Sequence, residues 1–530
     1  MLQKIVIHNY RVFRDFTLDF TAGMNILVGD NDAGKSTLLE AVNLALTGRV
    51  QSRQLSQDLS PYMFNLDTTG EFVAALKAGG HPQPPELIVD LYLDVSDVTA
   101  PLRGTNNSTG ENACGLRFRA AFNPEFTAEY EEFIKKPDAI RVIPTEYYRC
   151  EWLGFSGNPV TYRSVPATAS MIDATAIRLQ SGADFYLQDI ISNNLSPADR
   201  VELTRAYRSL REEFAGNDSI AAINAKLKAS PGDVSDRDLS LGIDISQRAS
   251  WESSLVPHLN DLPFTFVGKG EQSSLKILLA LNRKVDAAHI ILVEEPENHL
   301  SFSRMNILIR KILDKCDGRQ VLATTHSSYV LNKLGLEQLV LVTPTGGMRL
   351  SGLTTGTQNY FRKLSGYDTL RLILARRAIL VEGPSDELIV QRAYLDVHGQ
   401  LPIEDGIDVI SVGLAFRRFL ELAVPLQRST AVVRDNDGKD PATVADRYAR
   451  FTKHDFIAVH VGAAAGGSTL EPQLLAANDR DTLNEIFGTS FDTDDALVDH
   501  MTANKTTCAL AIFESATKLN MPGYIQDAVG

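Results

Sequence analysis

A chain of 530 residues is longer than one hydrophobic core usually organises, so two or three domains are expected. Its 44% hydrophobic and 22% charged residues exclude a disordered chain, and without a long apolar run or a signal-peptide pattern we expect a cytoplasmic protein with no membrane partner. The net charge of −14 means that any nucleic acid must be held by local basic patches or metal ions, and the four scattered cysteines exclude a zinc ribbon and a disulfide framework.

The first predicted elements form a unit that is typical of phosphate binding. Alternating apolar and polar residues in KIVIHNYRVF and DFTLDF predict a hairpin with one buried face. MNILVG is then a short apolar strand that ends on glycine, and KSTLLEAVNLAL has the leucine and alanine spacing of a helix. Strand, glycine loop and helix therefore follow in the order that a phosphate-binding loop requires.

The middle of the chain changes character twice. VDLYLDV and AIRVIPTEYY predict strands on either side of a polar loop, GTNNSTGENACG. Between about residues 171 and 241, apolar residues three and four apart predict a helical insertion. Strands return at HIILVEE and QVLATTH, with a helix between them at about residues 303 to 314.

A second alternation of strands and helices begins near residue 377. The predicted order is strand AILVE, helix SDELIVQRAYLDV, strand DVISV, helix AFRRFLELAV, strand TAVVRD and strand FIAVHV. This succession predicts a second parallel sheet, and therefore a second domain. The predicted fold class is α/β in both halves of the chain.

A nucleotide-binding loop is predicted from GDNDAGKST, which satisfies the pattern G-x-x-x-x-G-K-[ST] between a strand and a helix. The predicted nucleotide-binding residues are Gly29, Asn31, Gly34, Lys35, Ser36 and Thr37. The glycines allow backbone N–H groups to surround a triphosphate, Lys35 reaches the terminal phosphates, and Ser36 holds Mg²⁺. ATP is therefore an expected cofactor.

The second part of the ATP site is predicted from IILVEEPENHLS, an apolar strand that ends on two carboxylates. Glu294 is expected to face the Mg²⁺ shell, and Glu295 to orient the attacking water as a catalytic residue. TTHSS follows at the end of a neighbouring strand, so His326 is expected to contact the γ-phosphate.

Together these motifs resemble the ATP-binding cassette heads of the structural-maintenance-of-chromosomes and RecF-like group, in which ATP lies between two heads. The candidate signature loop is GKGEQSS, and the resemblance implies nucleotide contacts for Gly268, Gly270 and Gln272. Lys269 and Glu271 stand where that group commonly has a serine and a glycine. Our hypothesis is that Gly270 and the helix N-terminus engage the phosphate while Lys269 contributes charge.

Carboxylates gather at the predicted strand ends of the second domain. Glu382 ends the first strand in AILVEGPSDE, Asp386 and Glu387 begin the next helix, and AVVRDNDGKD carries Asp435 and Asp437. In a parallel sheet these strand ends share one crevice, and the alternate positions of the last two acids predict side chains that point the same way. Unpaired carboxylates repel one another, so we expect hard divalent cations, Mg²⁺ or Mn²⁺, between them.

This arrangement resembles the Toprim domain of topoisomerases, primases and certain nucleases. Glu471 in GGSTLEPQLL is a further candidate metal ligand, or alternatively a helix cap. Lys505 in NKTTCALAIFES is a candidate for stabilising charge on a phosphate, or alternatively a solvated lysine at a helix start. Two metal ions would bracket a scissile phosphodiester, with Glu382 also the candidate general base.

The whole layout resembles the overcoming-lysogenization-defect (OLD) family of nucleases. The resemblance implies an ATPase part at residues 1–165 and 246–360, a helical dimerisation insertion at 166–245, and a Toprim nuclease domain at 374–530. It also implies a homodimer or larger assembly, metal-dependent cleavage of DNA, and defence against phage beside a companion such as a helicase or a retron reverse transcriptase.

Two alternatives stay open on the residues alone. The first is a DNA repair or processing enzyme that uses the same Toprim chemistry. The second is a non-cleaving, ATP-gated sensor or scaffold whose acids only bind metal or a partner, which the crowded negative charge disfavours. Whether ATP drives, gates or inhibits cleavage is also open.

Overall fold

The computed structural model describes residues 1–50, 53–55, 59–161, 164–173, 179–180, 183–184, 195–228, 241, 251, 258–282, 288–315, 319–350, 352–363 and 369–530. The chain divides into two compact units. The first unit comprises Met1–Val165 and Leu322–Gly530, and the second comprises Pro166–Val321. The predicted division into four segments stays a prediction.

The secondary structure of the described residues mixes strands and helices throughout. The strands are β1 Leu2–Tyr10, β2 Phe13–Asp19, β3 Met24–Val28, β4 Arg49–Val50, β5 Arg53–Gln54, β6 Leu87–Leu93, β7 Arg103–Gly104, β8 Ala113–Phe122, β9 Tyr148–Gly154, β10 Ala167–Asp173, β11 Leu179–Gln180, β12 Ala183–Asp184, β13 His258–Leu259, β14 Leu262–Pro263, β15 Ala288–Glu294, β16 Gln320–Thr324, β17 Leu339–Thr343, β18 Gly346–Arg349, β19 Arg377–Val381, β20 Ile407–Ser411, β21 Ser429–Arg434 and β22 Ile457–Val461. The helices are α1 Lys35–Thr47, α2 Leu66–Lys77, α3 Thr127–Phe133, α4 Pro197–Ala215, α5 Asp218–Lys228, α6 Lys269–Asn282, α7 Phe302–Lys315, α8 Ser328–Leu334, α9 Thr355–Lys363, α10 Thr369–Leu374, α11 Pro384–His398, α12 Phe416–Ala423, α13 Pro441–Asp446, α14 Leu470–Ala477, α15 Arg480–Phe487, α16 Asp494–Ala503, α17 Lys505–Glu514 and α18 Gly523–Val529. The predicted α/β class is confirmed.

An antiparallel sheet forms one side of the first unit. Its strand order is β2-β1-β6-β8-β7, and β9 pairs with the far side of β8. The predicted N-terminal hairpin is confirmed, because β1 and β2 pair antiparallel from Lys4 with Asp19 to Tyr10 with Phe13. Alternate residues of β2 are buried and exposed, as expected for strands with one face on a core.

A second sheet of the first unit carries the phosphate-binding unit. The fully buried strand β3 pairs in parallel with β17, and β17 pairs antiparallel with β18. Helix α1 begins directly after the glycine loop and buries leucine, alanine and valine side chains along one face. The predicted strand, loop and helix are therefore confirmed, and α1 packs against β6 and β8 of the antiparallel sheet.

The C-terminal part of the first unit contains a four-stranded parallel sheet in the order β20-β19-β21-β22. Every strand and helix predicted for this part is present. Helix α11 packs on α17 and α18, and together they close a core whose central strands are β19 and β21. Because β19 and β21 are neighbours and parallel, the residues after their carboxyl ends lie at the same edge of the sheet.

The second unit holds the parallel pair β10 and β15, the helices α4 and α5, and the helices α6 and α7. Ser196 caps helix α4, because its side chain accepts a hydrogen bond from the backbone N–H of Asp199 in a capping box. Among the described helices, none is long and apolar enough to cross a membrane.

Two predictions of secondary structure are wrong. AIRVIPTEYY is not a strand, because a short 3₁₀ helix covers Thr145–Tyr147 and the strand β9 begins only at Tyr148. The predicted helix from residue 171 begins in fact with the end of strand β10, and residues 179–180 and 183–184 form a two-stranded hairpin. The rest of AIRLQSGADFYLQDIISNNL lies largely outside the described residues. In the second place the pairing of β10 with the distant strand β15 overrides local spacing.

Candidate functional site

The glycine loop between β3 and α1 has the geometry of a phosphate cradle. Gly34 precedes the helix with φ of 91°, and a Cβ there would lie 2.6 Å from side-chain atoms of both Phe13 and Val12. A Cβ at Gly29 would lie 2.6 Å from the carbonyl oxygen of Val342. Both positions therefore require glycine, as the nucleotide-binding pattern predicts.

Lys35 lies inside this loop. Its side chain is buried, and its ammonium group donates hydrogen bonds to the carbonyl oxygens of Gly29 at 2.9 Å and Asp30 at 2.8 Å. Asn31 and Ser36 are exposed at the mouth of the loop, and Thr37 is partly buried one residue further along α1. The loop thus holds a positive charge beside the exposed residues Asn31 and Ser36, an arrangement that suits a polyphosphate.

The predicted Mg²⁺ and water-orienting acids belong to the second unit. Glu294 is the last residue of β15, and Glu295 leaves the strand with φ of 44°. The Glu295 carboxylate accepts a hydrogen bond of 2.5 Å from the side-chain amide of Asn298. The positive φ turns Glu295 away from the direction of the strand, so the two adjacent acids occupy different environments.

The signature loop is built around a close approach that the sequence did not reveal. A Cβ at Gly270 would lie 2.1 Å from the carbonyl oxygen of His299, so this glycine allows α6 to contact the turn after β15. Gln272 is buried, and its side-chain amide donates to the carbonyl oxygens of Phe264 and Val267. Its amide donors therefore hold the loop itself, while its predicted nucleotide contact stays a prediction.

The predicted ATP residues are divided between the two units. The glycine loop and His326, which is exposed after β16, belong to the first unit, whereas the two glutamates and the signature loop belong to the second. Their individual positions match strand ends and helix starts. Their roles toward a nucleotide stay predictions.

The acids predicted for the second domain meet at the carboxyl edge of the parallel sheet. Glu382 follows β19 and Asp435 follows the neighbouring strand β21. Burial raises the pKa of Glu382, and the charge of Asp437 adds to that rise against the opposing charges of Arg434 and Lys505. The predicted convergence of Glu382, Asp435 and Asp437 at one sheet edge is therefore supported by position and by electrostatic coupling.

Asp435 and Asp386 share this environment. Burial and the charges of Asp386, Glu382 and Glu471 together raise the pKa of Asp435 to about 7. Burial likewise raises the pKa of Asp386 to about 6, although the backbone N–H of Gly383 donates a 3.0 Å hydrogen bond to its carboxylate. The cluster thus holds more negative charge than the protein alone neutralises.

Asp437 differs from the other acids. Strand β21 ends at Arg434, so the alternation that predicted Asp435 and Asp437 to point the same way does not apply, and that reasoning was wrong. Asp437 has φ of 53°, and its carboxylate lies 2.5 Å from the guanidinium of Arg434. That arginine is buried and also donates to the hydroxyl of Tyr448, so it anchors the turn and is not available to grip a nucleic-acid phosphate.

Glu471 and Lys505 form an ion pair at the same edge. Glu471 lies buried in the first turn of α14, and the ammonium group of Lys505, at the start of α17, is 3.0 Å from its carboxylate. Burial by itself lowers the pKa of Lys505, but the hydrogen bond and charge of Glu471 and the charges of Asp435 and Asp386 raise it overall. Lys505 is therefore a half-exposed cation at a helix start, paired with an acid of the cluster.

Glu387 stands apart, although it follows Asp386 in the sequence. Its carboxylate accepts a 2.7 Å hydrogen bond from the hydroxyl of Ser411 and lies 3.5 Å from the guanidinium of Arg371. These partners belong to the neighbouring strand and to α10. Of the three acids in AILVEGPSDE, Glu382 and Asp386 therefore lie in the acid cluster, whereas Glu387 belongs to a structural ion pair.

Sequence reasoning missed two residues of this site. The hydroxyl of Tyr524, buried in α18, donates a 3.3 Å hydrogen bond to Asp435. The side chain of Asn436 is fully buried and bonds the carbonyl oxygens of Gly462, Ala463 and Gly467. A polar residue between two acids after a buried strand was a usable signal for Asn436, whereas nothing local marked Tyr524, which is distant in the chain.

The donor set fits hard divalent cations, which prefer carboxylate oxygens. Among the described residues, Glu382 and Glu471 each have one buried carboxylate oxygen that lacks a hydrogen-bond partner. Such orphaned oxygens are the expected state of ligands that an ion completes. In the conformation described, no three His, Cys, Asp or Glu side chains of the described residues are gathered closely enough to enclose an ion.

Comparison with known protein families matches both halves of the chain. Residues 4–78 match an AAA domain, residues 121–332 match an AAA domain described as putative AbiEii toxin, Type IV TA system, and residues 373–437 match the overcoming lysogenization defect protein-like TOPRIM domain. The chain therefore carries segments that match AAA ATPase domains and one segment that matches an OLD-like TOPRIM domain. The TOPRIM match of the OLD family ends on Asp437 and includes the turn of Glu382 and the Asp-Asn-Asp segment.

The chain is also similar to curated proteins and to solved structures. The chain is 22% identical to an OLD nuclease of Thermus scotoductus over 431 residues, 78% of this chain and 76% of that protein. It is 23% identical over 350 residues to an ATP/GTP phosphatase of Helicobacter pylori, covering 62% of this chain and 85% of that protein. A solved C-terminal region of the Burkholderia pseudomallei OLD protein is 21% identical, with a TM-score of 0.24, over 29% of this chain and 99% of that one.

Proposed function

We propose that the protein is an ATP-hydrolysing, divalent-metal-dependent endonuclease that cuts DNA. The observation that carries the proposal is the acid cluster at the edge of the parallel sheet. Glu382 and Asp435 follow neighbouring strands, and burial and the charges of nearby carboxylates raise the pKa of both. A protein gains nothing from such a cluster unless cations and an anionic substrate use it, and the relative from Thermus scotoductus is described as a nuclease.

In this mechanism, bound divalent ions supply charge neutralisation and a water of lowered pKa at the scissile phosphate. The residues that would hold them are Glu382, Asp386, Asp435, Asp437 and Glu471. Two ions are proposed, Mg²⁺ or Mn²⁺, because five carboxylates exceed the needs of one.

The chain's own groups then have distinct tasks. Glu382 has an oxygen without a partner and a raised pKa, so it is the proposed general base. Lys505 holds a positive charge at the cluster, where it would stabilise the negative charge that develops on the phosphate. Tyr524 and the backbone N–H of Leu470 donate to Asp435 and fix its orientation.

The ATP site is proposed from the phosphate loop and the acids after β15. Lys35 would exchange its hydrogen bonds to the loop carbonyls for the terminal phosphates, and Ser36 with Glu294 would hold Mg²⁺. Glu295 would orient the attacking water, and His326 would contact the γ-phosphate. The signature residues Gly268 and Gly270, with charge from Lys269, would contact a nucleotide bound by a second copy of the chain.

A plasmid-nicking assay with Mg²⁺ or Mn²⁺ tests the nuclease proposal. Glu382→Gln should abolish cleavage, because it removes the general base and a metal ligand together. Glu387→Gln is the matched control, because it neutralises an acid of the same turn that is paired with Ser411 and Arg371. If the wild-type protein cuts no DNA or RNA form with either metal, the acids serve a sensor or scaffold instead.

The effect of ATP on cleavage is tested separately. Cleavage by the wild type and by Lys35→Ala is compared across ATP concentrations. An ATP-driven enzyme loses cleavage in the variant, whereas an ATP-inhibited enzyme becomes insensitive to ATP. Either result identifies the sign of the coupling.

We also propose that the protein forms a homodimer or larger assembly through the insertion that contains α4. This helix exposes Val201, Leu210 and Phe214 by 69%, 61% and 55%, which is unusual for large apolar side chains on one surface helix. Leu210→Glu combined with Phe214→Glu should yield monomers in light scattering, and a change of Arg208 to Glu should not. Unchanged mass in the double variant would place the interface elsewhere.

We also propose a role in phage defence, beside a companion such as a helicase or a retron reverse transcriptase. This proposal rests on the match of residues 373–437 to the OLD-like TOPRIM domain. Phage plating on cells with and without the gene tests it, with Glu382→Gln as the inactive form. Protection that disappears with Glu382→Gln supports defence by cleavage. Equal plating with an active nuclease would favour DNA repair or processing.

A further inference from the structure

A cavity of about 390 Å³ lies next to the acid cluster, between the turn that follows β21 and the loop that follows β22. It is lined by Asn436, Gly438, Lys439, Asp440, Ala464, Gly467 and Ser468. Asp435 and Asp437 flank Asn436 in the chain, so the cavity begins within two residues of the proposed metal ligands. The volume falls in the range of sites for small molecules or single nucleotides.

The walls of this cavity are held in place by a buried amide. The Asn436 side chain donates to the carbonyl oxygens of Gly462, Ala463 and Gly467, and its own oxygen accepts from the N–H of Gly438. The side chain of Asn436 thus bonds to both the turn after β21 and the loop after β22. The cavity is therefore preformed, so binding there does not have to order its walls.

The lining identifies the class of ligand. Glycine, alanine and serine offer peptide and hydroxyl groups and no aromatic face, so a base has nothing to stack on. The backbone at Gly438 and Gly467 has φ of 73° and 102°, which keeps the lining free of larger side chains. Such a lining suits a sugar and phosphate more than a base.

The charges at the rim favour a phosphate. The carboxylate of Asp440 caps α13 by accepting from the N–H of Thr443, and that of Asp437 is paired with Arg434. Within the part of the chain that the structure describes, the Lys439 ammonium group has no such partner. Lys439 can therefore pair with an anion that enters the cavity, although the protein as a whole has a net charge of −14.

We propose that this cavity binds the sugar-phosphate backbone of one nucleic-acid strand beside the scissile phosphate, with Lys439 as the phosphate contact. The inference rests on the proposed nuclease function and adds a positioning subsite to it. Contacts of this kind fix the position of the strand without reading its sequence. The subsite also explains how an acidic protein aligns DNA with its acids.

The test measures DNA binding and cleavage by the full-length protein. Binding of an oligonucleotide duplex is measured across salt concentrations in Ca²⁺, in the Glu382→Gln background. Lys439→Ala should weaken binding roughly fivefold for every sequence tested and reduce the slope of log K against log salt by about 0.7 to 0.9, the value for one phosphate. Lys453→Ala, an exposed lysine of the same domain, is the matched control.

A second variant separates the cavity from the charge. Ala464→Phe should fill the cavity and raise KM for cleavage while kcat and Mn²⁺ binding, followed by electron paramagnetic resonance, stay at wild-type values. The subsite would be refuted, and the nuclease proposal kept, by a wild type that cuts DNA together with two results. Lys439→Ala would bind DNA as tightly as Lys453→Ala does, and Ala464→Phe would have the same KM as Lys453→Ala. Loss of Mn²⁺ binding in Lys439→Ala would also overturn it, because the lysine would then serve the metal site. A wild type that neither binds nor cuts DNA would instead refute the proposed function.

Discussion

Neutralising Asp435 should make the protein more stable while removing its metal site. The pKa of this carboxyl rises from 3.8 to about 7, first because of burial and then because of the charges of Asp386, Glu382 and Glu471. A tenfold change in an acid dissociation constant is worth about 1.4 kcal/mol. Ionised Asp435 therefore costs the metal-free fold on the order of 4 kcal/mol at pH 8.

The substitution Asp435→Asn removes the charge but keeps the hydrogen bonds. Its carbonyl oxygen can accept from the backbone N–H of Leu470, and its amide can donate to the Tyr524 hydroxyl that now donates to the carboxylate. We expect a gain of about 2 to 4 kcal/mol in metal-free protein at pH 8. For a domain of this size that corresponds to a rise in Tm of roughly 5 to 10 °C.

The sign of the pH dependence follows from the raised pKa. An acid whose folded pKa lies above its unfolded pKa is destabilising when ionised, fully so above about pH 7, and the penalty fades as the pH falls from 7 towards 4. The variant should therefore exceed the wild type most at pH 8 and little near pH 4.

Thermal unfolding in EDTA at pH 8 and pH 5 checks this prediction, with exposed Asp446→Asn as the control. Mg²⁺ should raise the Tm of the wild type and leave that of Asp435→Asn almost unchanged, since a metal ligand is lost. Equal Tm values for the variant and the wild type at pH 8 would refute the reasoning. So would a gain that is the same at both pH values.

The remaining predictions concern one lysine and two glycines. Lys505→Ala should lower kcat for DNA cleavage about 100-fold or more without weakening Mn²⁺ binding. The reason is that the change removes a cation that stabilises the transition state and removes no metal ligand. Weaker Mn²⁺ binding in this variant would contradict that role. Gly270→Ala should destabilise the second unit by about 2 kcal/mol, measured by limited proteolysis, because its Cβ would lie 2.1 Å from a carbonyl oxygen, whereas Gly268→Ala meets nothing within 4 Å. Gly34→Ala should abolish ATP binding in a fluorescent-nucleotide titration, because its φ of 91° and side-chain atoms at 2.6 Å exclude a methyl group, and Gly23→Ala is the unhindered control.

The raised pKa values of the acid cluster link stability to metal binding. Functional sites often hold groups whose charges destabilise the fold until a ligand binds. Here the cost lies in Asp386 and Asp435, and the ligand is expected to be a cation. Stability measured with and without metal thus reports on the same residues as cleavage does.

The sequence by itself determined the local elements that carry both sites. The glycine loop before α1, the acids after β15 and the alternation of strands and helices from β19 to β22 all depend on residues that are close in the chain. Their periodicity and turn chemistry are local, so each element was predicted at its observed place. The parallel sheet then followed, because a strand, helix and strand of this length favour that topology.

Which acids lie near one another depends on the tertiary structure. Adjacent Asp386 and Glu387 separate, because one faces the sheet edge and the other faces Ser411 and Arg371. Tyr524 reaches Asp435 from a helix 89 residues further along the chain. Electrostatic partners and steric approaches such as that of Gly270 depend on distances in space, and spacing along the chain does not encode those distances directly.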